Sequence, residues 1–272
     1  MNLVAEAGPS AGAASAENPE KWTRESILSV QRWTPSLLSF RISRYRSFRF
    51  APGQFARIGI AKKEGPIVWR AYSIVSAAYD EYLEFFSVLV PGGEFTSRLA
   101  QAVPGDSILV EKTSYGFLSP DRFQDGSDLW MLASGTGLAP FLSILRDPAV
   151  WERYERLILA NCVRRGEELA YRAEIDALGR NQPFAGARAR LRYIPAVTRE
   201  AWPGALSARI TQTLADGRLE AMAGAPLDPA RSRLMICGNP DMVLELREAL
   251  GRRGFKVGRR GAPGQLSLEN AW

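Results

Sequence analysis

The seven residues DLWMLAS (128–134) run directly into Gly135-Thr136-Gly137, and the helical stretch LAPFLSIL (138–145) follows without a spacer. An apolar run of this length bounded by glycine reads as a buried strand, and the run after the turn reads as a helix. The same rhythm returns three times. RLILANC (156–162), RLRYIPAV (190–197) and RLMICG (233–238) are further short apolar strands, with helices predicted to begin near Leu138, Glu167, Ala208 and Asp241. Short buried strands alternating with helices predict a parallel sheet covered on both faces, an α/β doubly wound domain over residues 123–272.

Upstream the punctuation differs. ESILSVQRW, LLSFRIS, QFARIGI, WRAYSIV, YLEFFSVLV and SILVEK are rich in β-branched and aromatic residues and are separated by Pro-Gly and Gly-Gly turns. Six such strands predict an antiparallel β-barrel over residues 25–122, because closing the sheet removes its exposed edges. A short helix is predicted over Thr96 to Ala102 with Thr96 as its N-cap. The polar segment SPDRFQDGSD (119–128) divides the two halves, and residues 1–24 read as a flexible tail, rich in Ala, Gly, Ser and Glu.

Composition excludes several chemistries. The chain has no histidine and two cysteines, Cys162 and Cys237. A Ser-His-Asp triad and an H-E-x-x-H zinc site each need imidazole, and a four-thiolate iron-sulfur cluster needs more cysteines. No metal site is expected, and a bound cofactor is expected to carry any redox chemistry. The net charge of +6, from 35 basic and 29 acidic residues, favours anionic partners. The uncharged run Leu129 to Leu145 is interrupted by glycines and Pro140, so no membrane span is read. A cytoplasmic protein with reduced thiols is the expectation.

Two glycines at the 134–138 junction let the backbone approach a pyrophosphate, whose charge is stabilised by free N–H groups. The following strand ends in Asn161-Cys162-Val163-Arg164-Arg165, where a reader of the ribose 2′-hydroxyl would have an acid. Arginine there suits a 2′-phosphate, hence NADP(H), and Arg199 and Arg209 are expected to converge on the same sheet edge. In the first half, Arg70-Ala71-Tyr72-Ser73 offers a cation for a diphosphate, a ring for a planar cofactor and a hydroxyl. An arginine in that apolar strand is expected to need a charged partner. Gly92-Gly93-Glu94-Phe95-Thr96-Ser97 is a second candidate anion turn. The interleaved basic and aromatic residues of Arg41 to Phe50 are explained by strand alternation, so no nucleic acid is expected.

These motifs, with Cys237-Gly238-Asn239-Pro240, occur in the order and spacing of the ferredoxin-NADP reductase family, and the chain most resembles its bacterial branch from about residue 25 to 272. The resemblance implies that Arg70 pairs with the FAD pyrophosphate, Tyr72 stacks on the isoalloxazine and Ser73 bonds near N5. Thr96 and Ser97 then hold the diphosphate, and Ala71, Phe86, Val88 and Gly93 complete the flavin site. It also implies that Gly135, Thr136 and Gly137 receive the NADPH pyrophosphate, and that Arg164, Arg199 and Arg209 take the 2′-phosphate. Cys237, with Gly238 and Asn239, would then lie beside nicotinamide C4. Glu269 resembles a carboxylate near the flavin, and Ala271-Trp272 an Ala-aromatic pair over the flavin face and under the FAD adenine. Ser73, Cys237, Glu269 and Trp272 are thus the catalytic expectations.

The implied activity is an FAD-dependent reductase exchanging hydride with NADP(H) and single electrons with ferredoxin or flavodoxin, as a monomer. Two alternatives stand beside it. One keeps the fold and changes the acceptor: an oxygenase reductase, or a reductase of free flavin, ferric chelates or quinones. The other is a basic nucleotide- or RNA-binding protein without turnover, which would be colourless.

Overall fold

The structure, a computed structural model, describes residues 21–61, 65–181, 184–259 and 262–271. Residues 1–20 of the expected tail and Trp272 lie outside the described residues. The first half holds β1 (Trp22–Thr34), β2 (Leu37–Ser43), β3 (Phe55–Ile60), β4 (Val68–Ser73), β5 (Tyr82–Val88), α1 (Glu94–Leu99) and β6 (Ser107–Tyr115). These strands form one antiparallel sheet in the order β4-β3-β6-β1-β2-β5. A bridge from Ile74 to Phe85, beside a bond from the Val75 amide to the Glu84 carbonyl (2.8 Å), joins the two ends and closes the barrel. Alternate strand residues point inward, so Phe40, Ile42, Ile58 and Phe85 fill its interior, joined by Phe95 of α1.

The second half holds β7 (Asp128–Ser134), α2 (Ala139–Leu145), α3 (Pro148–Arg153), β8 (Arg156–Val163), α4 (Arg172–Arg180) and β9 (Arg190–Val197). It continues with α5 (Ile210–Ala215), α6 (Arg218–Ala223), β10 (Ser232–Gly238), α7 (Pro240–Arg252) and β11 (Leu266–Asn270). All five strands are parallel, in the order β11-β10-β7-β8-β9. That is a doubly wound sheet whose direction of winding reverses between β7 and β10, the point where such sheets bind ligands.

Several sequence expectations move. The Thr96 cap is corrected: α1 starts at Glu94 behind Gly93, and Thr96 lies inside the helix with its hydroxyl on the Val90 carbonyl (3.0 Å). The helix expected near Glu167 is divided into a 3-10 turn, Gly166–Glu168, and α4, because Tyr171 takes a left-handed backbone at φ 60°. α3, α6 and β11 are additions that the sequence reading missed.

The two halves share a core. Leu37, Val75 and Phe86 of the barrel pack in one apolar cluster with Leu138, Phe141 and Leu142 around the start of α2. Within the sheet, the Gly135–Leu138 turn lies so close to β10 that a Cβ on Gly137 would stand 2.2 Å from the Cys237 carbonyl oxygen. The Ser134 hydroxyl accepts the Asn239 amide (2.9 Å), tying the ends of β7 and β10 together. Gly137→Ala is therefore expected to lower the stability by about 1–3 kcal/mol through overpacking against backbone. Gly251→Ala, with nothing within 4 Å of its Cβ in α7, is expected to leave stability unchanged or slightly raised. Urea midpoints at unchanged m-value measure both, and equal midpoints for the two variants would remove the close-packing argument.

Candidate functional site

The edge of the parallel sheet at the switch point and one side of the barrel enclose a cleft of about 1230 Å³. Single small-ligand pockets hold roughly 300–1,000 Å³, so there is room for more than one. On the barrel wall stand Arg70, Ala71, Tyr72 and Ser73 from β4, Phe86 and Val88 from β5, and Thr96. On the sheet wall stand Gly135, Thr136, Arg164, Arg199, Arg209 and Asn239, and Ala271 closes one end. Residues from both halves of the chain are thus gathered around one space.

Arg70 is exposed at the cleft, so the burial cost expected from its strand is not incurred. Among the described residues its guanidinium donates to the Trp69 carbonyl (2.8 Å). Tyr72 is held edge-on to Phe40 and Phe85 and close to Phe95, with its hydroxyl 3.0 Å from that of Ser87. Burial pushes its phenol up, which keeps the proton on. The Thr96 hydroxyl is spent on Val90, from whose amide it accepts (3.2 Å) and to whose carbonyl it donates. A Cβ on Gly93 would stand 2.6 Å from that hydroxyl, so Gly93 and Thr96 brace the turn. Ser97 is exposed on α1, outside the cleft lining.

Two acids near the sheet-edge arginines bond to backbone amides. Glu168 accepts the amides of Arg164 (2.8 Å) and Arg165 (3.2 Å), and Glu200 accepts the amide of Gly166 (2.7 Å). The Arg199 amide donates to the Arg164 carbonyl (2.9 Å), which fixes the two loops side by side. Among the described residues, no carboxylate pairs with the guanidinium of Arg70, Arg164, Arg199 or Arg209. Four guanidiniums facing one cleft without an ion-paired carboxylate among the described residues are donors suited to phosphate oxygens.

Other expected residues are not brought to that space. Gly137, Cys237 and Gly238 are buried where the turn packs on β10. β11 pairs Cys237 with Glu269 and Gly238 with Asn270, and the Ala271 amide donates to the Gly238 carbonyl (3.0 Å). The Cys237 thiol is fully buried and does not line the cleft, and burial, then the Glu269 charge, pushes its pKa up. Glu269 lies behind it against the barrel, with Oε2 3.2 Å from where a Gly116 Cβ would be. Burial pushes its carboxyl up to about 7.

Sequence reasoning missed Ser36 in the β1–β2 turn, Leu37 at the start of β2, Thr198, Thr211, and Asp241 and Glu245 one turn apart on α7. The position of Thr198 beside Arg199 and the four-residue spacing of the two acids were the available signals.

A closed antiparallel barrel joined to a doubly wound sheet, with a cationic cleft between them, is the architecture of a two-domain dinucleotide-dependent reductase. Residues 131–248 match the oxidoreductase NAD-binding domain family. The chain is 43% identical over 254 residues to ferredoxin-NADP reductase A of Sorangium cellulosum, covering 92% of this chain and 90% of that protein. It is 41% identical to the ferredoxin-NADP reductase of Azotobacter vinelandii, covering 91% and 96%. A crystal structure of a ferredoxin NADP+ reductase from Neisseria gonorrhoeae with bound FAD and NADP superposes at TM-score 0.87 with 41% identity, covering 93% and 99%. The chain belongs to the ferredoxin-NADP reductase family.

The buried carboxyl makes a pH prediction. A Glu269 pKa raised above the unfolded value penalises the folded state only where the unfolded carboxyl is ionised. The penalty is absent below about pH 4.5, grows up to about pH 7 and is constant above it, at an order of 3 kcal/mol. Glu269→Gln is therefore expected to raise the melting temperature clearly at pH 8 and little at pH 5. Thermal unfolding at both pH values checks this, and an equal change at both would remove the buried-carboxylate assignment.

Proposed function

We propose that the chain is an FAD-dependent reductase that exchanges hydride with NADP(H) and single electrons with a ferredoxin or flavodoxin. The observation that carries this reading is the set of four guanidiniums around one cleft, without an ion-paired carboxylate among the described residues, with the Gly135-Thr136-Gly137 turn at the switch point of the sheet. When bound, FAD and NADP(H) supply the hydride and one-electron chemistry, and the protein supplies orientation, exclusion of water and electrostatics.

In this reading Arg70 neutralises the FAD diphosphate, and the turn braced by Gly93 and Thr96, with Ser97 beside it, supports that group. Tyr72 offers its ring face, Phe86 and Val88 its apolar surround, and Ser73 a hydroxyl for the reacting edge. Across the cleft, Gly135 and Thr136 of the turn take the NADP(H) diphosphate, while Arg164, Arg199 and Arg209 take the 2′-phosphate. Asn239 caps α7 by accepting the Asp241 amide (2.9 Å), which fixes the nicotinamide end. Cys237 on β10 and Glu269 opposite it on β11 act from behind the cleft surface rather than at it.

The names of the relatives, ferredoxin-NADP reductase and flavodoxin/ferredoxin-NADP reductase, point to a ferredoxin or flavodoxin as carrier. A net charge of +6 speeds encounter with an acidic one in a salt-dependent way. The protein is proposed to act as a cytoplasmic monomer, without nucleic acid or membrane; no helix among the described residues is long and apolar enough to cross a bilayer.

The test is an anaerobic visible spectrum of the purified protein. A flavin band that bleaches promptly with NADPH and slowly with NADH is expected. A colourless protein that gains no flavin band when supplied with FAD would overturn the reading. Arg164→Ala is expected to weaken NADPH about tenfold or more, the value of one charge-assisted contact, with NADH little changed. Equal losses for both nucleotides would remove the 2′-phosphate assignment.

A further inference from the structure

A buried polar cluster joins the barrel to the sheet domain away from the arginines. Glu84, on β5, is 3% exposed. Its carboxylate accepts from the Tyr171 hydroxyl (2.8 Å), the Arg146 guanidinium (3.2 Å) and the Arg41 guanidinium (3.3 Å). Arg146 also donates to the Val75 carbonyl (2.9 Å) and makes two bonds to Glu174 (2.9 and 3.0 Å). One helical turn earlier, the Ser143 hydroxyl donates to the Ser76 carbonyl (2.8 Å). The acceptors Val75, Ser76 and Glu84 belong to the barrel half, and the donors Ser143, Arg146 and Tyr171 to the sheet half.

The donors sit where the two nucleotide-facing segments end. Arg146 closes α2, the helix that leaves the Gly135–Leu138 turn. Tyr171 ends the segment that starts at Arg164 and passes through the Gly166–Glu168 turn. Its ring lies 4.7 Å from Trp33 and edge-on to Phe86 at 5.4 Å, and Phe86 lines the cleft. Among the described residues Tyr171 is the one non-glycine with a positive φ, a costly backbone that the surrounding contacts must hold. Burial and the Glu84 charge push its hydroxyl pKa up, so it stays a donor. Burial opposes the Arg146 charge, but Glu174 and Glu84 more than offset it.

We propose that Glu84, Arg146 and Tyr171 are positioning residues that fix the sheet-domain nucleotide seat against the barrel seat, and so set the approach of the two cofactors. This rests on the reading of the cleft as a two-nucleotide site. The cluster contacts the joint between the seats and no phosphate-facing arginine, so it governs geometry more than affinity. Hydride transfer is sensitive to such geometry, because small misplacements of reacting atoms cost up to about a hundredfold in rate.

Tyr171→Phe keeps the ring against Trp33 and Phe86 and removes only the hydroxyl. In the FAD-loaded protein, flavin content and NADPH affinity are expected to stay within about threefold, and flavin reduction by NADPH to slow about tenfold or more. Amide hydrogen exchange, a readout independent of turnover, is expected to quicken at residues 139–146 and 75–76. Glu84→Gln keeps an acceptor for Tyr171 but discharges the pair with Arg146, and is expected to shift both readouts in the same direction. Unchanged reduction rate and exchange in both variants would overturn the proposal. Joint loss of flavin content, affinity and rate would also overturn it, since that is the mark of a folding role alone. A wild-type protein whose flavin is not reduced by NADPH would fail the functional reading instead, and exchange at the joint would still decide the cluster's role.

Discussion

The contact between the barrel and the start of α2 creates the cleft. Leu37, Val75 and Phe86 from the barrel and Leu138, Phe141 and Leu142 from the sheet domain lie in a single apolar cluster. Burying that surface is favourable only when the two halves sit in one relation, so the walls of the cleft are set by the hydrophobic effect rather than by a linker. Polar bonds at the rim of this cluster then select among near-equivalent packings. Ser143 to Ser76 and Tyr171 to Glu84 have fixed lengths and directions that an apolar contact lacks.

On this frame the chain distributes charge unevenly. Acids are paired with arginine at the far end of the sheet, where buried Asp128 takes two bonds from Arg156 (2.8 and 2.7 Å). At the cleft the nearby acids are turned onto backbone amides instead, as Glu168 and Glu200 show. Arg164, Arg199 and Arg209 therefore line the cleft, together with Glu168, Asp241 and Glu245, without an ion pair to any carboxylate among the described residues. Like charges held together destabilise the protein alone and are relieved by a bound anion, which is how a folded protein stores affinity for phosphate.

The parts of the fold with local signatures were legible in the sequence. LLSFRIS, DLWMLAS and RLRYIPAV coincide with β2, β7 and β9, because alternation or continuous apolarity announces a strand without reference to its partner. β11 was missed because LSLEN is short and becomes a strand only by pairing with β10. α3 and α6 are six residues each, too short to show a helical period. Among site residues, the Arg70-to-Ser73 run and the three sheet-edge arginines were readable as residue types with a known use. The burial of Cys237 depends on β11, and the Glu84 cluster joins residues 87 and 62 positions apart, so neither leaves a local trace.

The central claim is that unpaired arginines at the sheet edge read a 2′-phosphate, and calorimetric titration with 2′,5′-ADP and 5′-AMP tests it without turnover. The first ligand is expected to bind about a hundredfold more tightly, the value of two charge-assisted contacts, with a margin that shrinks as salt is raised. Equal affinities, unaffected by salt, would contradict the assignment and make Arg164, Arg199 and Arg209 ordinary surface charges.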